Sequence, residues 1–471
     1  MDRSALPVAI IGAGPVGLAA AAHLLEQGQD PVVFEAGPSV GTAVLGWGHV
    51  RVFSPWRYVI DEAARRLLAP TGWIASDPEA YPTGREIVDE YLAPLAATAP
   101  IASRLRLSHR VTAVVRAGFD KMKSEGRDAA PFAVTVVDAR GIEQTVLVKA
   151  VVDASGTSGS PNPAGASGVA AIGERALADR IFYGIPDVLG VHRARYAGKR
   201  VLVVGSGHSA FNALLDLVDL ADQSPGADVS WVVRTPVNRL DNIFGGGISD
   251  ALPARGELGG RVRRLVDSGR LRFVPGFRIA RMTDAAEGIV VAGEDAILPP
   301  VDEIVVATGL RPDLSFLSEL RLGLDPAVES PTALAPLIDP NIHSCGSVPP
   351  HGARELTHPE ADFYLVGMKS YGRAPTFLML TGYEQVRSVA AAIAGDWEAA
   401  DDVRLVLPET GVCSSGILAD RGVACCRADA ASETTDEACC GGSTDQPAGS
   451  CCGTAVPQLI QLTAATKGKC C

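Results

Sequence analysis

The chain has 471 residues, 47% of them hydrophobic and 20% charged, with a formal net charge of −12; that is length enough for two or three domains with sizeable cores. The acidic balance argues against nucleic acid or an anionic membrane as partner, and no apolar run approaches the roughly eighteen residues of a spanning helix. A strand that begins within ten residues of Met1 is incompatible with a cleaved leader, so a soluble, cytoplasmic protein is expected.

Residues 7–36 predict a strand, a tight turn, a helix and a second strand. The turn is "GAGPVG", with Gly12, Gly14 and Gly17 in GxGxxG spacing and Pro15 at the start of the helix. In such a loop the first glycine permits the turn, the second lets a pyrophosphate approach the backbone, and the third lets helix and strand pack closely. The helix N-terminus then faces the phosphates. Glu35, twenty-three residues after Gly12, ends the second strand, where a carboxylate accepts hydrogen bonds from ribose hydroxyls.

Further along, residues 82–97 predict a helix, and residues 131–155 predict antiparallel strands that close on "AVVDASG". The strand–turn–helix–strand pattern returns at 199–234. Its loop, "GSGHSA", contains Gly205, Ser206, Gly207, His208 and Ser209. No acid ends the following strand, and Arg234 stands there instead. A guanidinium grips a 2′-phosphate that an acid would repel, so this second site is expected to prefer NADPH. Residues 271–309 predict strands again. From Asp362 come a strand, a Gly/Pro turn and a helix through "GYEQVRSVAAAIAG". After about Pro408 the periodicity ends and the composition becomes that of a disordered segment.

The acid after the first loop and the arginine after the second resemble the two-dinucleotide-binding-domain flavoproteins. The resemblance implies an α/β fold of two Rossmann-like domains, the second inserted in the first, and composition adds a disordered cysteine-rich tail after them. It implies FAD in the first domain and NADPH in the second. "VVDASG", with Ser155 and Gly156, and "VVATGLRP", with Thr308 and Gly309, are similar to the segments that cross between the domains. "FYLVGMKSYGRAPTF", with Gly367 and Thr376, resembles the late flavin-contacting segment, and Val111 joins the implied FAD contacts. The domains are expected at 1–165 and 311–408 for FAD, 166–310 for NADPH, and 409–471 for the tail.

No CxxC or CxxxxC spacing occurs in the chain, which weighs against a disulfide reductase. "DVLGVHRARYAGKRVLVVGSGHSA" resembles flavin-containing and Baeyer–Villiger monooxygenases. His192 and Tyr196 keep the His-xxx-aromatic part of their signature; its phenylalanine and first glycine do not align. Where many flavin-containing monooxygenases carry an asparagine, this chain has "HVRVFSPWRY". Ser54, Trp56 and Arg57 are the candidates to line the site there. His192, Ser54 and Arg57 are the expected catalytic residues, with O2 and a small molecule as co-substrates.

Nine of the ten cysteines follow Gly411, and eight form adjacent pairs: Cys425 and Cys426, Cys439 and Cys440, Cys451 and Cys452, Cys470 and Cys471. Adjacent Cα atoms are about 3.8 Å apart, closer than the roughly 4.4–6.8 Å of a disulfide, so free thiols are expected in a reducing compartment. Neighbouring thiolates chelate soft ions such as trivalent arsenic or Hg²⁺. A flavin core with such a tail resembles the flavin-binding monooxygenases of bacterial arsenic-resistance operons, which implies arsenite or an organoarsenical as partner. Two other readings stay open. One is a reductase of thiol-bound metal that uses Cys470 and Cys471 as a delivery arm; the other is a non-catalytic soft-metal buffer on a flavoprotein scaffold.

Overall fold

A computed structural model describes residues 3–238, 243–244, 253–342, 348–374 and 377–404. The cysteine pairs, Cys345 and Thr376 lie outside these residues. Two five-stranded parallel sheets organise the chain. The first contains β1 (Val8–Ile11), β2 (Pro31–Phe34), β3 (Leu105–Arg106), β7 (Ala150–Asp153) and β15 (Phe363–Leu365), in the order β15-β7-β1-β2-β3. Between β3 and β7 the chain forms an antiparallel sheet of β4 (Arg110–Arg116), β5 (Phe132–Val137) and β6 (Glu143–Val148).

The second sheet contains β8 (Ile181–Tyr183), β9 (Arg200–Val204), β10 (Asp228–Val232), β11 (Arg272–Val274) and β14 (Glu303–Val306), in the order β11-β10-β9-β14-β8. An antiparallel hairpin, β12 (Arg281–Ala285) and β13 (Gly288–Ala292), lies between β11 and β14 in sequence. The two sheets thus share one plan: a glycine loop follows the central strand, and an antiparallel unit precedes the strand on its other side. All strands of the second sheet fall between β7 and β15 in sequence, which is the inserted α/β arrangement the sequence implies.

The central strands are apolar because both faces are covered. Val8, Ala9 and Ile10 have no exposure. Helix Pro15–Glu26 lies between the first sheet and helix Met379–Ala394, and its alanines Ala19 to Ala22 are buried. Small side chains there let the two helices approach closely. One expectation needs correction. Residues 131–155 are not one antiparallel set: β5 and β6 are antiparallel, but β7 joins the parallel sheet beside β1. All four β7 residues are buried, the pattern of a strand covered on both faces. The helix expected over 82–97 is present as Gly84–Glu86, Ile87–Leu92 and Ala93–Ala97 in succession. It opens on a capping box in which Thr83 and Glu86 satisfy each other's backbone N–H.

Candidate functional site

The three glycines of the first loop do different work. Gly12 has φ +99°, and a Cβ there would stand 2.8 Å from the Ala154 carbonyl oxygen. A Cβ at Gly17 would stand 2.0 Å from the Gly12 carbonyl oxygen. Packing within the protein therefore demands both. A Cβ at Gly14 would meet nothing within 4 Å, so the protein leaves that side open. Gly14 caps the helix that starts at Pro15 without offering a side-chain acceptor to its first N–H groups. An open cradle at a helix N-terminus fits the pyrophosphate of a dinucleotide. Glu35 braces this loop: its carboxylate accepts from the Ala13 amide at 2.8 Å and the Gly37 amide at 2.7 Å. Each carboxylate oxygen retains a further lone pair for a ligand hydroxyl.

Next to this loop, at the end of β7, lies a feature the sequence reading missed. Lys369 Nζ donates to Asp153 Oδ2 at 2.7 Å and to Ser155 Oγ at 3.0 Å. Neither charged side chain has any exposure. Asp153 Oδ1 also accepts from the Ser155 amide and hydroxyl, at 3.0 and 2.6 Å. Lys369 thus ties the late segment to the predicted crossover residue Ser155, and the neighbouring Gly156 has φ +70°. The same late segment is anchored at Gly367, whose N–H donates to Gln385 Oε1 at 2.8 Å. A Cβ at Gly367 would meet Val16 at 3.2 Å, so this glycine lies against the start of the first-loop helix. Helix Met379–Ala394 follows, with Leu378 as its N-cap. Val111, at the start of β4, is buried with Ile11 and Phe34.

The second loop repeats the design. Gly205 has φ +128°, and a Cβ there would stand 2.2 Å from the Ala307 carbonyl oxygen. A Cβ at Gly207 would meet nothing within 4 Å. Gly207 caps helix His208–Asp222. Ala210 takes the third-glycine position and is fully buried. The Trp231 indole N–H fixes the turn by donating to the Gly205 carbonyl at 2.7 Å. Ser206 and Ser209 are exposed and His208 is half-buried. Arg234 follows β10 on the exposed surface, and its Nη1 lies 3.3 Å from the Ala166 carbonyl oxygen. The two crossovers pair with each other. The Thr308 hydroxyl donates to the Asn162 carbonyl at 2.9 Å, and the Asn162 amide donates to the Gly309 carbonyl at 2.9 Å.

The three predicted catalytic residues occupy different surroundings. Ser54 is half-buried beside Phe53. Arg57 is exposed, ion-paired with Glu79 and 4.8 Å from the Tyr58 ring centroid. His192 is half-buried, and its Nδ1 accepts from the Asp187 amide at 3.1 Å. Its ring lies 5.1 Å from that of Phe182, so β8 supplies an aromatic partner that linear alignment does not. Among the described residues, no hydrogen bond or ring contact joins Ser54 or Arg57 to His192. No group of three or more His, Cys, Asp or Glu among the described residues is arranged to hold a metal ion.

The family described as pyridine nucleotide-disulphide oxidoreductase matches residues 6–358. A ferredoxin–NADP reductase of Salinispora tropica is 28% identical over 318 residues, covering 68% of this chain and 78% of that protein. The monooxygenase AgnR1 of Paecilomyces divaricatus is 32% identical over 124 residues, 26% of this chain and 32% of AgnR1; the matched stretch spans about a third of that protein. Among solved structures, FAD-bound DfoA, the cadaverine monooxygenase of Erwinia amylovora, superposes with a TM-score of 0.59 at 14% identity, covering 86% of this chain and 98% of that one. At that identity the likeness is one of fold.

Proposed function

The chain belongs to the pyridine nucleotide-disulphide oxidoreductase family, and from that premise we propose that it is an NADPH-dependent FAD monooxygenase acting on a soft nucleophile, with a trivalent arsenical as substrate. The protein is a flavin oxidoreductase that uses FAD and NADP(H). The observation that carries the oxygenase reading is the pairing of two open glycine cradles with a chain that contains no CxxC or CxxxxC spacing. A dithiol of that spacing is the redox centre of many disulfide reductases; an oxygenase needs none. FAD, when bound, supplies a two-electron carrier between NADPH and O2.

The protein's own part is binding and placement. Gly14 and the helix behind it present backbone N–H groups to the pyrophosphate of FAD, and Glu35 holds Ala13 in place and accepts from the ribose. Lys369 and Asp153 fix the crossover at Ser155 on the other side. Gly207 and its helix serve the pyrophosphate of NADPH, and Arg234 its 2′-phosphate. The domain boundaries proposed with this reading are 1–165, 166–310 and 311–408. The cysteine pairs carry the arsenical part of the proposal, since thiolates are the soft ligands that trivalent arsenic prefers.

The test is NADPH consumption by the FAD-loaded protein with arsenite or methylarsenite, in air and without oxygen. Each turnover is expected to consume one NADPH, one proton and one O2, and to yield NADP⁺, water and the arsenical bearing one added oxygen. Serine in place of all eight paired cysteines should raise the arsenical concentration for half-maximal turnover and leave FAD content unchanged. Arsenical-dependent NADPH use that proceeds without oxygen would instead identify a reductase. The Salinispora tropica relative, matched over 78% of its length, favours that second reading.

A further inference from the structure

Four buried polar side chains, Gln385, Ser370, His351 and Ser388, meet at the turn Gly367–Tyr371. Gln385 belongs to helix Met379–Ala394 and spans the turn with its one amide group. Its Oε1 accepts from the Gly367 N–H at 2.8 Å, and its Nε2 donates to Ser370 Oγ at 3.0 Å. The Ser370 hydroxyl closes the ring of bonds by donating to the Gly367 carbonyl at 2.8 Å. The other N–H of the Gln385 amide meets His351 Nε2, 3.0 Å away.

His351 decides which way that amide points. Its Nδ1 lies 3.1 Å from the Pro349 carbonyl. A carbonyl only accepts, so Nδ1 carries the proton. Burial lowers the ring's pKa, and the Pro349 carbonyl and the Glu355 carboxylate oppose this only in part. The ring is therefore neutral at neutral pH, and Nε2 is an acceptor. It takes the NH2 side of the Gln385 amide, which turns the oxygen to Gly367. A flipped amide would set oxygen against the Nε2 lone pair and NH2 against the Gly367 N–H. The strand of chain that carries His351 is itself docked on the helix: the Ala353 amide donates to Ser388 Oγ at 2.8 Å, three residues after Gln385, and the Ser388 hydroxyl donates to the Ala400 carbonyl at 2.6 Å.

The turn so fixed borders the open cradle at Gly14. A Cβ at Gly367 would stand 3.2 Å from a methyl of Val16, and one at Gly382 would stand 2.6 Å from the same methyl. Val16 is two residues after Gly14, in the first turn of the helix that Gly14 caps. At the other end of the turn, Lys369 bonds Ser155, next to the Ala154 carbonyl that abuts Gly12. A shift of the turn would move Gly367 off Val16 and Lys369 off Ser155, on two sides of the first glycine loop. We propose that Gln385 is a positioning residue for FAD, its amide oriented by His351: together they hold the turn Gly367–Tyr371 against the first glycine loop and so complete the FAD site. This inference rests on the reading of that loop as the FAD cradle.

Three variants of the FAD-loaded protein test it. Gln385→Met keeps the length of the side chain and removes the amide. His351→Leu removes the acceptor, and His351→Gln returns an amide oxygen near the position of Nε2. FAD release on dilution, followed by the rise in flavin fluorescence, should be about tenfold faster in Gln385→Met and His351→Leu and within about twofold of wild type in His351→Gln. The visible band of the bound flavin should change shape in the first two and not in the third. A lowered urea midpoint with wild-type release and spectrum would make the network structural only and overturn the assignment, as would equal defects in the two His351 variants. If Gln385→Met or His351→Leu fails to fold, Ser370→Ala removes a single oxygen from the turn and should speed release about threefold; wild-type release there overturns the assignment equally. A wild-type protein that holds no FAD would sink the functional reading along with this one. A loaded wild type with unaffected variants would sink this inference alone.

Discussion

Lys369 and Asp153, 216 residues apart in sequence, form an ion pair 2.7 Å long with no exposure on either side chain. It joins β7 of the first sheet to the segment after β15, the strand beside it in that sheet. Ser155 accepts from the same ammonium, and the Phe316 ring lies 4.4 Å from it. The cation is thus satisfied by a carboxylate, a hydroxyl and an aromatic face, which is what a buried charge requires.

Breaking one side of this pair leaves an uncompensated buried charge. Lys369→Met or Asp153→Asn alone should therefore cost about 3–5 kcal/mol of stability and lower FAD content. The double variant should cost less than the sum of the two, because it leaves no stranded charge. Urea unfolding of the four proteins measures this. Additive losses would mean that the two groups act independently of each other.

The glycines of the first loop should separate folding from binding. Gly14→Val has an allowed backbone, φ −80° and ψ −174°, and open space around its Cβ. The protein should fold and lose its flavin, seen as loss of visible absorbance with unchanged far-UV circular dichroism. Gly17→Ala instead drives a methyl to 2.0 Å from the Gly12 carbonyl oxygen, so it should fail to fold. Full flavin occupancy in folded Gly14→Val would remove the basis for the first site.

Both glycine loops were legible because their residue types and spacing are dictated locally: Gly12 and Gly205 need positive φ, and the strand and helix flank them in sequence. The Lys369–Asp153 pair was not legible, since nothing near either residue points to a partner so distant in sequence. The strand β7 was misjudged because its two neighbours, β1 and β15, are set by tertiary pairing; its unbroken apolar run was the available sign. Arg57 looked like a site residue by position alone, and its ion pair with Glu79 depends on how residues 51–58 turn.

NADPH preference should depend on Arg234. The side chain is exposed at the end of β10 and makes one 3.3 Å contact to a carbonyl among the described residues, and a guanidinium with five N–H donors can serve a 2′-phosphate as well. Losing a charge-assisted contact of that kind costs about 1.5–3 kcal/mol, or roughly ten- to a hundredfold in affinity. Arg234→Ala should weaken NADP⁺ by that factor and leave NAD⁺ nearly unaffected, by equilibrium titration. Equal weakening of both nucleotides would place Arg234 outside the 2′-phosphate contact.

Acid should destabilise the fold through His358. The ring is buried beside Phe363, with centroids 5.6 Å apart, and its Nε2 has no partner among the described residues. Burial pushes its pKa down to about 4, with the Gly323 carbonyl opposing only in part. An unfolded histidine titrates near about 6.5. The folded value is the lower one, so the stabilising contribution is fully present above about 6.5 and is lost as pH falls from there toward 4. At about 1.4 kcal/mol per unit, the loss across that window approaches about 3 kcal/mol. Glu360 does not share the window: burial raises its pKa, but Arg127 and Arg116 outweigh that and hold it below the ordinary carboxylate range. His358→Leu cannot take up the proton, so its stability should fall less between about pH 7 and pH 5 than that of wild type. Urea unfolding at the two pH values compares them. Parallel losses in both proteins would assign the acid sensitivity to another group.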